Sequence, residues 1–366
     1  MESDVTDMPE GVSTSSEVSL DELQLSVRNH GMHLEGLRYD VTPSGMHYLL
    51  IHFDIPEGNA ATWSLSIDGL VSSPMRMSVS DIRERPRVTM PVTMECAGNG
   101  RARLTPRPIS QPWLTEAIGT AEWTGTPLRT LLEEAGVRDE AKELVFTGAD
   151  RGIQGGMEHD YQRSLTIDDA MRDEVLIVYE MNGAPLPPQH GFPLRLLVPG
   201  WYGMTSVKWL TGISAVAESF EGYQQLAYRI RQRPEDEGDP VTRMRPRSLM
   251  IPPGIPDFLT RKRFVDIGSI ELVGRAWSGV GRIERVEVST DGGASWDRAV
   301  IGGAASPYAW VPWSFTWHAE VPGDFELRCR ATDASGNTQP LDQPWNLHGF
   351  SNNMVQRLPV EVRPPG

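Results

Sequence analysis

The chain has 366 residues, a formal net charge of −15 at pH 7 and two cysteines. This length is enough for two or three domains with a large core, and the acidic charge argues against a general binder of nucleic acid or of anionic membranes. No apolar run is long enough to span a membrane, and the N-terminus has no region typical of a signal peptide. Unless a leader has been removed, we expect a cytoplasmic protein.

The first two thirds of the chain mix strand and helix patterns. Residues 1–19 are acidic and rich in Ser and Thr, which is typical of a disordered tail. Beyond them, runs rich in β-branched and aromatic residues predict strands, and amphipathic runs predict short helices. The predicted strands are residues 48–53, 63–70, 144–146, 174–179, 194–198 and 207–215, and the predicted helices are residues 80–83, 128–135 and 166–172.

One segment of this part, residues 87–101, combines a strand pattern with reactive side chains. Apolar residues alternate from Val88 to Met94, which is the period of a half-buried strand. Pro91 within the run indicates an edge strand or an interrupted one, because proline cannot donate to a β-ladder. Cys96 keeps the parity of the apolar set, so we expect its sulfur to face inward.

The residues after Cys96 form a turn and end in a cation. Residues 97–100, Ala-Gly-Asn-Gly, cannot continue a strand and favour positive φ angles. Arg101 follows directly. A thiol at a strand end, beside a small-residue turn and a cation, is a place where a soft metal or an anion can bind. A lone buried thiol is also an ordinary core residue, so Cys96 by itself does not decide between the two interpretations.

Other polar side chains are found where predicted strands begin or end. His190 and Arg195 lie around a proline-rich turn, Ser206 and Lys208 precede the next strand, and Asp150 follows another. In the predicted strand, Lys208 faces away from its apolar neighbours. Such donors suit a polar, phosphate-bearing cofactor. Alternatively, they are loop residues that cap strands and pair with one another.

Other common sites are absent or weak. The sequence has no P-loop, no dinucleotide fingerprint after a strand and no H-E-x-x-H motif. The polar triplet at residues 158–160, Glu-His-Asp, is a possible metal site that we interpret as a solvated loop. His30 and His33 have the spacing of two ligands on one helix face, but Gly31 between them favours a loop.

After residue 228 the composition changes. Residues 229–256 are rich in Arg, Glu and Pro and read as a linker. Short strands separated by Gly and Asp turns follow at 270–276, 283–289, 314–318 and 325–331, which predicts a β-sandwich of immunoglobulin type. Cys329 lies in the last of these strands and is expected to be buried, and a disulfide with Cys96 is left open. We place the domains at residues 20–245 and 246–366.

Several segments together resemble the sulfite oxidase family of molybdopterin enzymes. Residues 95–101, E-C-A-G-N-G-R, are similar to the family segment that supplies the cysteine ligand of molybdenum. Further similarities are Y-E-M-N-G at 179–183, H-G-F-P at 190–193, V-K-W-L at 207–210 and P-W-N-L at 344–347.

The resemblance implies an α+β fold: a mixed α/β molybdopterin-binding domain followed by an immunoglobulin-like domain that mediates homodimerisation. It implies a molybdenum–molybdopterin cofactor with Cys96 as the metal ligand, and Cys96, Arg101 and Tyr228 as catalytic residues. The substrate pocket would contain Arg101, Trp113 and Tyr228, with His348 at a further pocket position. The implied cofactor-binding residues are Tyr48, His52, Asp150, His190, Arg195, Ser206, Val207 and Lys208.

The chain departs from the family pattern in the substrate pocket. Sulfite-oxidising members have arginines where this chain has Leu50 and His348. Arg101 is then the one pocket arginine at a matching position. An Arg-Asn-His string beginning at Arg28 lies far upstream of Cys96, and Arg28 would have to fold back to replace the missing charge. A protonated His348 would restore part of that charge near or below its ordinary pKa.

The expected reaction is oxygen-atom transfer, most simply the oxidation of sulfite to sulfate, with the electrons passed to a separate acceptor such as a cytochrome. Loss of two arginines predicts weak sulfite oxidation or a less charged sulfur substrate. The alternatives are reduction of a sulfoxide or of nitrate by the same cofactor, and a degenerate cofactor domain that serves as a binding module. We expect neither nucleic acid nor a membrane as a partner.

Overall fold

The computed structural model describes residues 12–13 and 17–364. The predicted disordered tail, residues 1–19, falls mostly outside this part. Within it, Val12–Ser13 pairs antiparallel with Arg107–Pro108, and Ser19 caps the first helix.

The first part of the chain is built mainly from strands, with a few short helices. The helices are α1 (Leu20–Arg28), α2 (Val79–Arg83), α3 (Leu128–Ala135), α4 (Ile167–Ala170) and α5 (Tyr223–Ala227). The strands are β1 (Val12–Ser13), β2 (Ser64–Gly69), β3 (Met75–Ser78), β4 (Val88–Glu95), β5 (Arg107–Pro108), β6 (Ile118–Pro127), β7 (Glu143–Gln154), β8 (Met157–Thr166), β9 (Leu176–Met181), β10 (Ala184–Pro185), β11 (Arg195–Leu197), β12 (Leu210–Val216), β13 (Arg229–Ile230) and β14 (Asp239–Pro240).

Two five-stranded sheets organise this part. One has the order β10-β9-β6-β4, with β11 also paired to β9, and all its pairs are antiparallel. The other has the order β3-β2-β12-β7-β8, in which only the pair of β12 with β2 is parallel. A large apolar core joins the second sheet to α3 and to residues of the first sheet.

Local signals set the helices. In α1, the Ser19 hydroxyl accepts from the Glu22 N–H and the Glu22 carboxylate accepts from the Ser19 N–H, which is a capping box. Helix α3 has the predicted bounds and buries Leu128, Leu131 and Leu132. It ends at Gly136, whose φ of 66° is a left-handed conformation that glycine adopts at little cost.

Strand β4 lies at the edge of its sheet, as Pro91 predicts, and it pairs with β6 alone among the described strands. Val92, Met94 and Cys96 pack into one apolar cluster, so the predicted inward parity of Cys96 is confirmed. The opposite face of the same strand end is buried as well, because Thr93 and Glu95 contact the C-terminal part of the chain.

The C-terminal part consists of two sheets packed face to face. Its strands are β15 (Arg247–Met250), β16 (Ile255–Pro256), β17 (Arg263–Asp266), β18 (Gly268–Trp277), β19 (Ile283–Ser289), β20 (Asp297–Arg298), β21 (Val300–Ile301), β22 (Val311–Ala319), β23 (Gly323–Asp333) and β24 (Gln356–Arg363). They form the orders β15-β18-β22-β21 and β16-β17-β24-β23-β19-β20. Side chains from both sheets share one core, so this part is a β-sandwich. Its immunoglobulin type stays a prediction.

Several predictions about secondary structure are wrong, and Asp150 lies inside β7 rather than after a strand. Residues 48–53 make a single bridge, between Leu49 and His30, rather than a strand. Strand β12 begins at Leu210 instead of Val207, because Trp209 has a φ of 49°, which a strand cannot accommodate. The predicted linker at 229–256 contains β15, which is fully buried and pairs with β18 inside the sandwich.

The two parts of the chain share an apolar core. Trp310 of the sandwich donates its backbone N–H to Thr93 Oγ1 at 2.8 Å and its indole N–H to the Asp40 carbonyl at 2.9 Å. Arg275 donates to the Leu37 carbonyl at 2.8 Å. The cluster around these contacts is formed by Met32, Leu37, Ala97, Ile118, Tyr202, Met204, Val241, Met244, Leu249, Trp277, Trp310 and Phe350.

Candidate functional site

Cys96 lies just beyond the end of β4, where two cavities meet. Its N–H donates to the Ala117 carbonyl at 2.9 Å, so the strand pairing continues up to the thiol. The side chain is 8% exposed and lines both an inner, polar cavity and an outer funnel. Burial raises the pKa of the thiol, and Arg101 opposes that shift. Cys329 is a buried, free thiol in β23, so the two cysteines form no disulfide.

The turn after Cys96 has the predicted geometry. Gly100 has a φ of 92°, and a short 3₁₀ helix from Arg101 to Arg103 follows it. The guanidinium of Arg101 is held by two carbonyls: Nε donates to His348 at 2.7 Å and Nη1 donates to Gln111 at 3.1 Å. Burial lowers the pKa of Arg101 from an ordinary value far above neutrality, so we treat the guanidinium as charged.

The inner cavity brings together most of the residues predicted to bind a cofactor. They come from both sheets of the first part and from the loops around residues 47–52 and 203–208. The lining residues with a titratable or hydroxyl group are His47, Tyr48, His52, Cys96, Asp150, Tyr161, His190, Arg195, Ser206, Lys208 and Tyr228. Val207 is not among them, because its side chain packs in the core and its N–H bonds to the Thr205 carbonyl.

Two histidines of the inner cavity are neutral at ordinary pH. Burial lowers the pKa of His47 to about 4 and that of His190 to about 2, and Arg195 adds to both shifts. Their rings lie edge to face, with centroids 5.4 Å apart. A neutral imidazole presents one donor and one acceptor nitrogen, which suits recognition of a polar heterocycle.

The cations of the inner cavity have no carboxylate within ion-pair distance among the described residues. Arg195 lies over the Trp123 ring and donates Nη2 to the Met94 sulfur at 3.0 Å. Lys208 donates to the carbonyls of Leu50 at 2.7 Å and Gln189 at 3.2 Å. Burial lowers the pKa of Arg195 to about 10 and also lowers that of Lys208. An anion in the cavity would stabilise both charges.

The outer funnel has a volume of about 440 Å³, and its lining mixes apolar side chains with hydrogen-bonding groups. Leu25 of α1, Ile109 and Ile153 lie at its mouth and are partly exposed. Leu50 lines both the funnel and the inner cavity. Among the described residues that line the funnel, Arg101 is the one with a permanent charge.

The predicted substrate residues Trp113 and Tyr228 also line the funnel. Burial raises the pKa of Tyr228 to about 12, so its phenol keeps the proton and can donate it in a hydrogen bond. The indole N–H of Trp113 is buried close to the Cys96 thiol, whose pKa it helps to lower. The phenol of Tyr228 is therefore available as a donor to a bound anion.

His348 lies in the funnel, but the prediction that it carries a positive charge is wrong. Burial lowers the pKa of His348 to about 4, and the adjacent Arg101 adds to the shift. The imidazole is therefore neutral at pH 7. It does not supply the positive charge that the resemblance led us to expect at this position.

Arg28 does not supply the missing charge either. Its guanidinium donates to the Phe53 carbonyl at 2.8 Å and lies 3.7 Å from Asp54. Neighbouring Asn29 is buried and accepts from the Ile51 N–H at 2.7 Å, so this segment does pack against residues 49–53. Residues 28–30 thus contact residues that line the funnel, but the Arg28 guanidinium binds the Phe53 carbonyl and Asp54 and is not part of the lining.

Sequence analysis missed three residues of the site: His47, Tyr161 and Gln224. His47 was within reach, because it directly precedes Tyr48 in the segment used to place His52. Tyr161 donates to the Met204 carbonyl at 2.8 Å and enters the cavity from β8, and no motif marks it. Gln224 lines the funnel, and both polar atoms of its side chain lack partners among the described residues.

The two weaker metal candidates have structural roles. Residues 158–160 lie in β8 rather than in a loop, and Glu158 and Asp160 both pair with Arg151. His159 stacks on Tyr223 with ring centroids 4.7 Å apart. His30 and His33 lie on no common helix. In the described residues, no group of three or more His, Cys, Asp or Glu side chains is placed to hold a metal ion.

None of the described helices has both the length and the apolar composition that crossing a bilayer requires.

Two family models match the chain. The oxidoreductase molybdopterin binding domain matches residues 52–224, and the Mo-co oxidoreductase dimerisation domain matches residues 241–363. The inner cavity and the funnel are lined mainly by residues of the first match.

Curated relatives support the same assignment. The chain is 34% identical to sulfite oxidase of Gallus gallus over 337 residues, which cover 87% of this chain and 72% of the relative. It is 32% identical to nitrate reductase [NADH] 1 of Oryza sativa subsp. japonica over 355 residues, covering 89% and 38%. It is 34% identical to mitochondrial sulfite oxidase of Mus musculus over 345 residues, which cover 88% of this chain and 62% of the relative. Several relatives are therefore considerably longer than this chain.

A solved structure matches over nearly the whole chain. The sulfane dehydrogenase SoxCD of Paracoccus pantotrophus superposes with a TM-score of 0.78 at 27% identity, covering 98% of this chain and 92% of that one.

The comparisons define an oxidoreductase that carries a prosthetic group, and the structure provides a buried cavity beside an open funnel. More particularly, the chain belongs to the sulfite oxidase family, and its cofactor is molybdenum–molybdopterin. The non-catalytic alternative, a degenerate binding module, is not supported, because the relatives are molybdenum enzymes.

The side chains of the inner cavity fit this cofactor. His47 Nε2, Asp150 Oδ1 and Arg195 Nε are buried and have no hydrogen-bond partner among the described residues. Buried polar atoms without partners are costly, and a group that carries both N–H donors and anionic oxygens would satisfy them. Soft sulfur ligands suit the metal, and Cys96 presents its sulfur to the same space.

Proposed function

We propose that the chain oxidises sulfite to sulfate by oxygen-atom transfer, with Cys96 as the thiolate ligand of molybdenum. The observation that carries the proposal is the position of Cys96 at the junction of the polar cavity and the funnel that contains Arg101. The overall change is sulfite plus water to sulfate, two protons and two electrons. When bound, the cofactor supplies the two-electron redox chemistry and the oxygen transfer.

The inner cavity would hold the cofactor. The neutral imidazoles of His47 and His190 would bond the pterin, and Arg195 and Lys208 would face its negative charge. A phosphate beside these cations would keep them protonated in spite of burial, since an opposite charge favours the charged form. Ser206 Oγ already accepts from the Val198 N–H at 3.1 Å, which leaves its own proton free to donate.

The funnel would bind and orient the substrate. Arg101, fixed by the carbonyls of His348 and Gln111, would attract an anion, since charge-assisted hydrogen bonds contribute on the order of 1.5–3 kcal/mol each. The phenol of Tyr228 would donate to an oxygen of the substrate, and its raised pKa keeps it a donor over the physiological range.

A less charged sulfur compound is the second candidate substrate. The funnel has a single permanent charge among its described lining residues, and Leu50, Ile109 and Ile153 offer apolar contact. The similarity to a sulfane dehydrogenase also supports a less charged sulfur compound as the substrate. Nitrate reduction is a third reading, supported by the similarity to a nitrate reductase, but no feature of the funnel favours it.

Steady-state kinetics of molybdenum-loaded protein test the proposal, with an artificial electron acceptor and sulfite. Sulfite-dependent reduction with a Michaelis constant above the micromolar range is expected, because two pocket arginines are absent. A micromolar constant at neutral pH would contradict the weak-binding part of the proposal. Loaded protein that turns over a neutral sulfur compound or nitrate, and not sulfite, would overturn sulfite as the substrate.

The electrons would pass to a separate acceptor, such as a cytochrome, and two copies would pair through the C-terminal part. The match of residues 241–363 to a dimerisation domain supports the homodimer. Sedimentation of the purified chain is expected to give a mass of about two protomers. Stable homodimers bury upwards of roughly 1,200 Å², so such a pair would persist at micromolar concentration. A single-protomer mass at micromolar concentration would contradict it.

A further inference from the structure

Glu95, the residue before Cys96, has a carboxylate buried between the two parts of the chain. Because side chains alternate along a strand, Glu95 points away from the cavity that Cys96 faces. Its side chain is 1% exposed and lies against the C-terminal sandwich. The family resemblance and the matched models assign no role to this side chain.

The carboxylate is surrounded by donors, two of which come from the sandwich. Trp277 Nε1 donates to one oxygen at 2.9 Å, and Asn99 Nδ2 donates to the other at 3.0 Å. Arg247 Nε lies 3.2 Å from that second oxygen, as an ion pair. Arg247 and Trp277 are direct partners in the pairing of β15 with β18, so one rung of a sheet presents both groups to Glu95.

The turn on the other side of Cys96 is also tied to the sandwich part of the chain. The Ala97 carbonyl accepts from the Ser351 N–H at 2.8 Å. The Gly100 carbonyl accepts from Asn352 Nδ2 at 2.8 Å. Cys96 is thus held between two attachments to the C-terminal part, one directly before it in the sequence and one directly after it.

Stability alone does not explain a charged pair at this place. Removing a carboxylate and a guanidinium from water carries a large desolvation penalty, and apolar residues of similar volume are often as stabilising or more so. What these contacts provide is direction: a carboxylate with one hydrogen-bond donor on each oxygen and a guanidinium beside it has a fixed orientation, and the next residue in the chain is the thiol.

We propose that Glu95 is a positioning residue through which Arg247 and Trp277 of the C-terminal sandwich fix the Cys96 thiol for molybdenum. The sandwich is then part of the construction of the metal site, in addition to any role in dimerisation. This inference rests on the proposed ligation by Cys96, but not on which sulfur compound reacts.

Four variants of the full chain, expressed in a host that makes the cofactor, test the inference. Glu95→Ala removes the carboxylate, and Trp277→Phe removes one donor while it keeps most of the packing. The matched controls are in the sandwich. Glu287→Ala breaks an ion pair with Arg330, and Trp313→Phe removes an indole N–H that has no partner among the described residues. The readouts are molybdenum content, the thiolate-to-molybdenum charge-transfer absorption and the thermal midpoint.

Glu95→Ala and Trp277→Phe are expected to shift the charge-transfer band and to lower molybdenum content by roughly tenfold, the lower end of the effects seen when supporting partners of metal ligands are removed. The two controls are expected to keep the native charge-transfer band and molybdenum content, even where their thermal midpoints fall. An unchanged band and content in Trp277→Phe, or in a folded Glu95→Ala, would overturn the inference. If Glu95→Ala does not fold, Trp277→Phe decides.

Cys96→Ser separates this inference from the proposed function. If that variant keeps molybdenum and the charge-transfer band, ligation by Cys96 is wrong. Glu95 then has no metal ligand to position. If Cys96→Ser loses the band while Trp277→Phe retains both the band and the molybdenum, ligation stands and the positioning role is wrong.

Discussion

The Cys96 thiol lies at the boundary between a cavity rich in hydrogen-bonding groups and a wider funnel that contains Arg101. Both its inward direction and the turn after it follow from local sequence: alternation sets the face, and glycine permits the φ of 92° at Gly100. The residues that surround the thiol do not follow from local sequence, because they include Arg195, Tyr228 and His348, which are distant in the chain. Burial raises the pKa of the thiol, and a bound metal ion would favour the thiolate form.

Cys96→Ser is expected to lose the thiolate-to-molybdenum charge-transfer absorption, because a serine hydroxyl does not ionise near neutral pH and is a harder ligand. The absorption spectrum of the loaded protein measures this loss. Cys329→Ala, which changes the buried thiol of the sandwich, is the control and should retain the band. The same band in both variants would contradict the ligand role.

His348→Arg is expected to lower the Michaelis constant for sulfite. The native imidazole is neutral at pH 7 because burial lowers its pKa to about 4, so arginine adds a charge beside Arg101. One charge-assisted hydrogen bond corresponds to a change on the order of tenfold. His318→Arg, at an exposed position of β22, controls for a general change of net charge. If both variants have the native constant, the missing pocket charge does not limit sulfite binding.

At the scale of elements, α1 shows how a local signal and a distant contact combine. The capping box of Ser19 and Glu22 is a sequence signature, but nothing in the sequence indicates that Glu22 also pairs with Arg107 of β5. Both side chains are buried. This ion pair fixes α1 against the strand that leads to the funnel residue Ile109.

Glu22→Gln is expected to destabilise the fold by about 3–5 kcal/mol at pH 7, the range found when one partner of a buried ion pair is removed. Chemical denaturation measures it. Glu133→Gln is the control, because Glu133 and Arg129 form an exposed pair on α3 and such pairs contribute about 0.5 kcal/mol or less.

The contribution of Glu22 should depend on pH in a defined direction. Burial opposes its ionisation, but hydrogen bonds from Arg107 and Ser19 outweigh that effect and hold its pKa below the ordinary 4.5. A lowered carboxyl pKa stabilises the fold above the unfolded value, and this stabilisation is lost as the pH falls through the folded value. The difference between wild type and Glu22→Gln should therefore shrink below pH 4.5. A difference that stays constant from pH 7 to pH 3 would contradict it.

At the scale of the whole molecule, the two parts of the chain form one structure. Trp310 is buried at their junction and bonds to Thr93 and Asp40 of the first part. Arg247 and Trp277 contact Glu95 in the same region. The metal site and the sandwich therefore share an interface, and unfolding one part would expose the core of the other.

Trp310→Ala is expected to lower the free energy of unfolding by roughly 3–5 kcal/mol, the range for truncating a buried Trp or Phe to Ala. Calorimetry should show that the transitions of both parts shift together. Trp310→Phe keeps the ring packing and loses the indole bond to Asp40, so its effect should be smaller. Two separate transitions, of which only the sandwich transition shifts, would contradict a shared core.

The sequence alone determined the features that depend on a few neighbouring residues. Alternation and a proline identified the edge strand β4, an amphipathic run ended by Gly136 identified α3, and the four central strands of the sandwich were placed by their turns. The resemblance to a family identified the cofactor and most of the cavity. These features could be predicted because strand period, turn chemistry and motif spacing are local.

The tertiary structure decided what depends on burial and on distant partners. It made β15 a sandwich strand where composition indicated a linker, because pairing with β18 outweighs local propensity. It made His348 neutral, because desolvation depends on what surrounds the ring. It also placed Glu95 against Arg247 and Trp277, which lie more than 150 residues away in the sequence. No local pattern carries such information, since a side chain's environment is set by the whole fold.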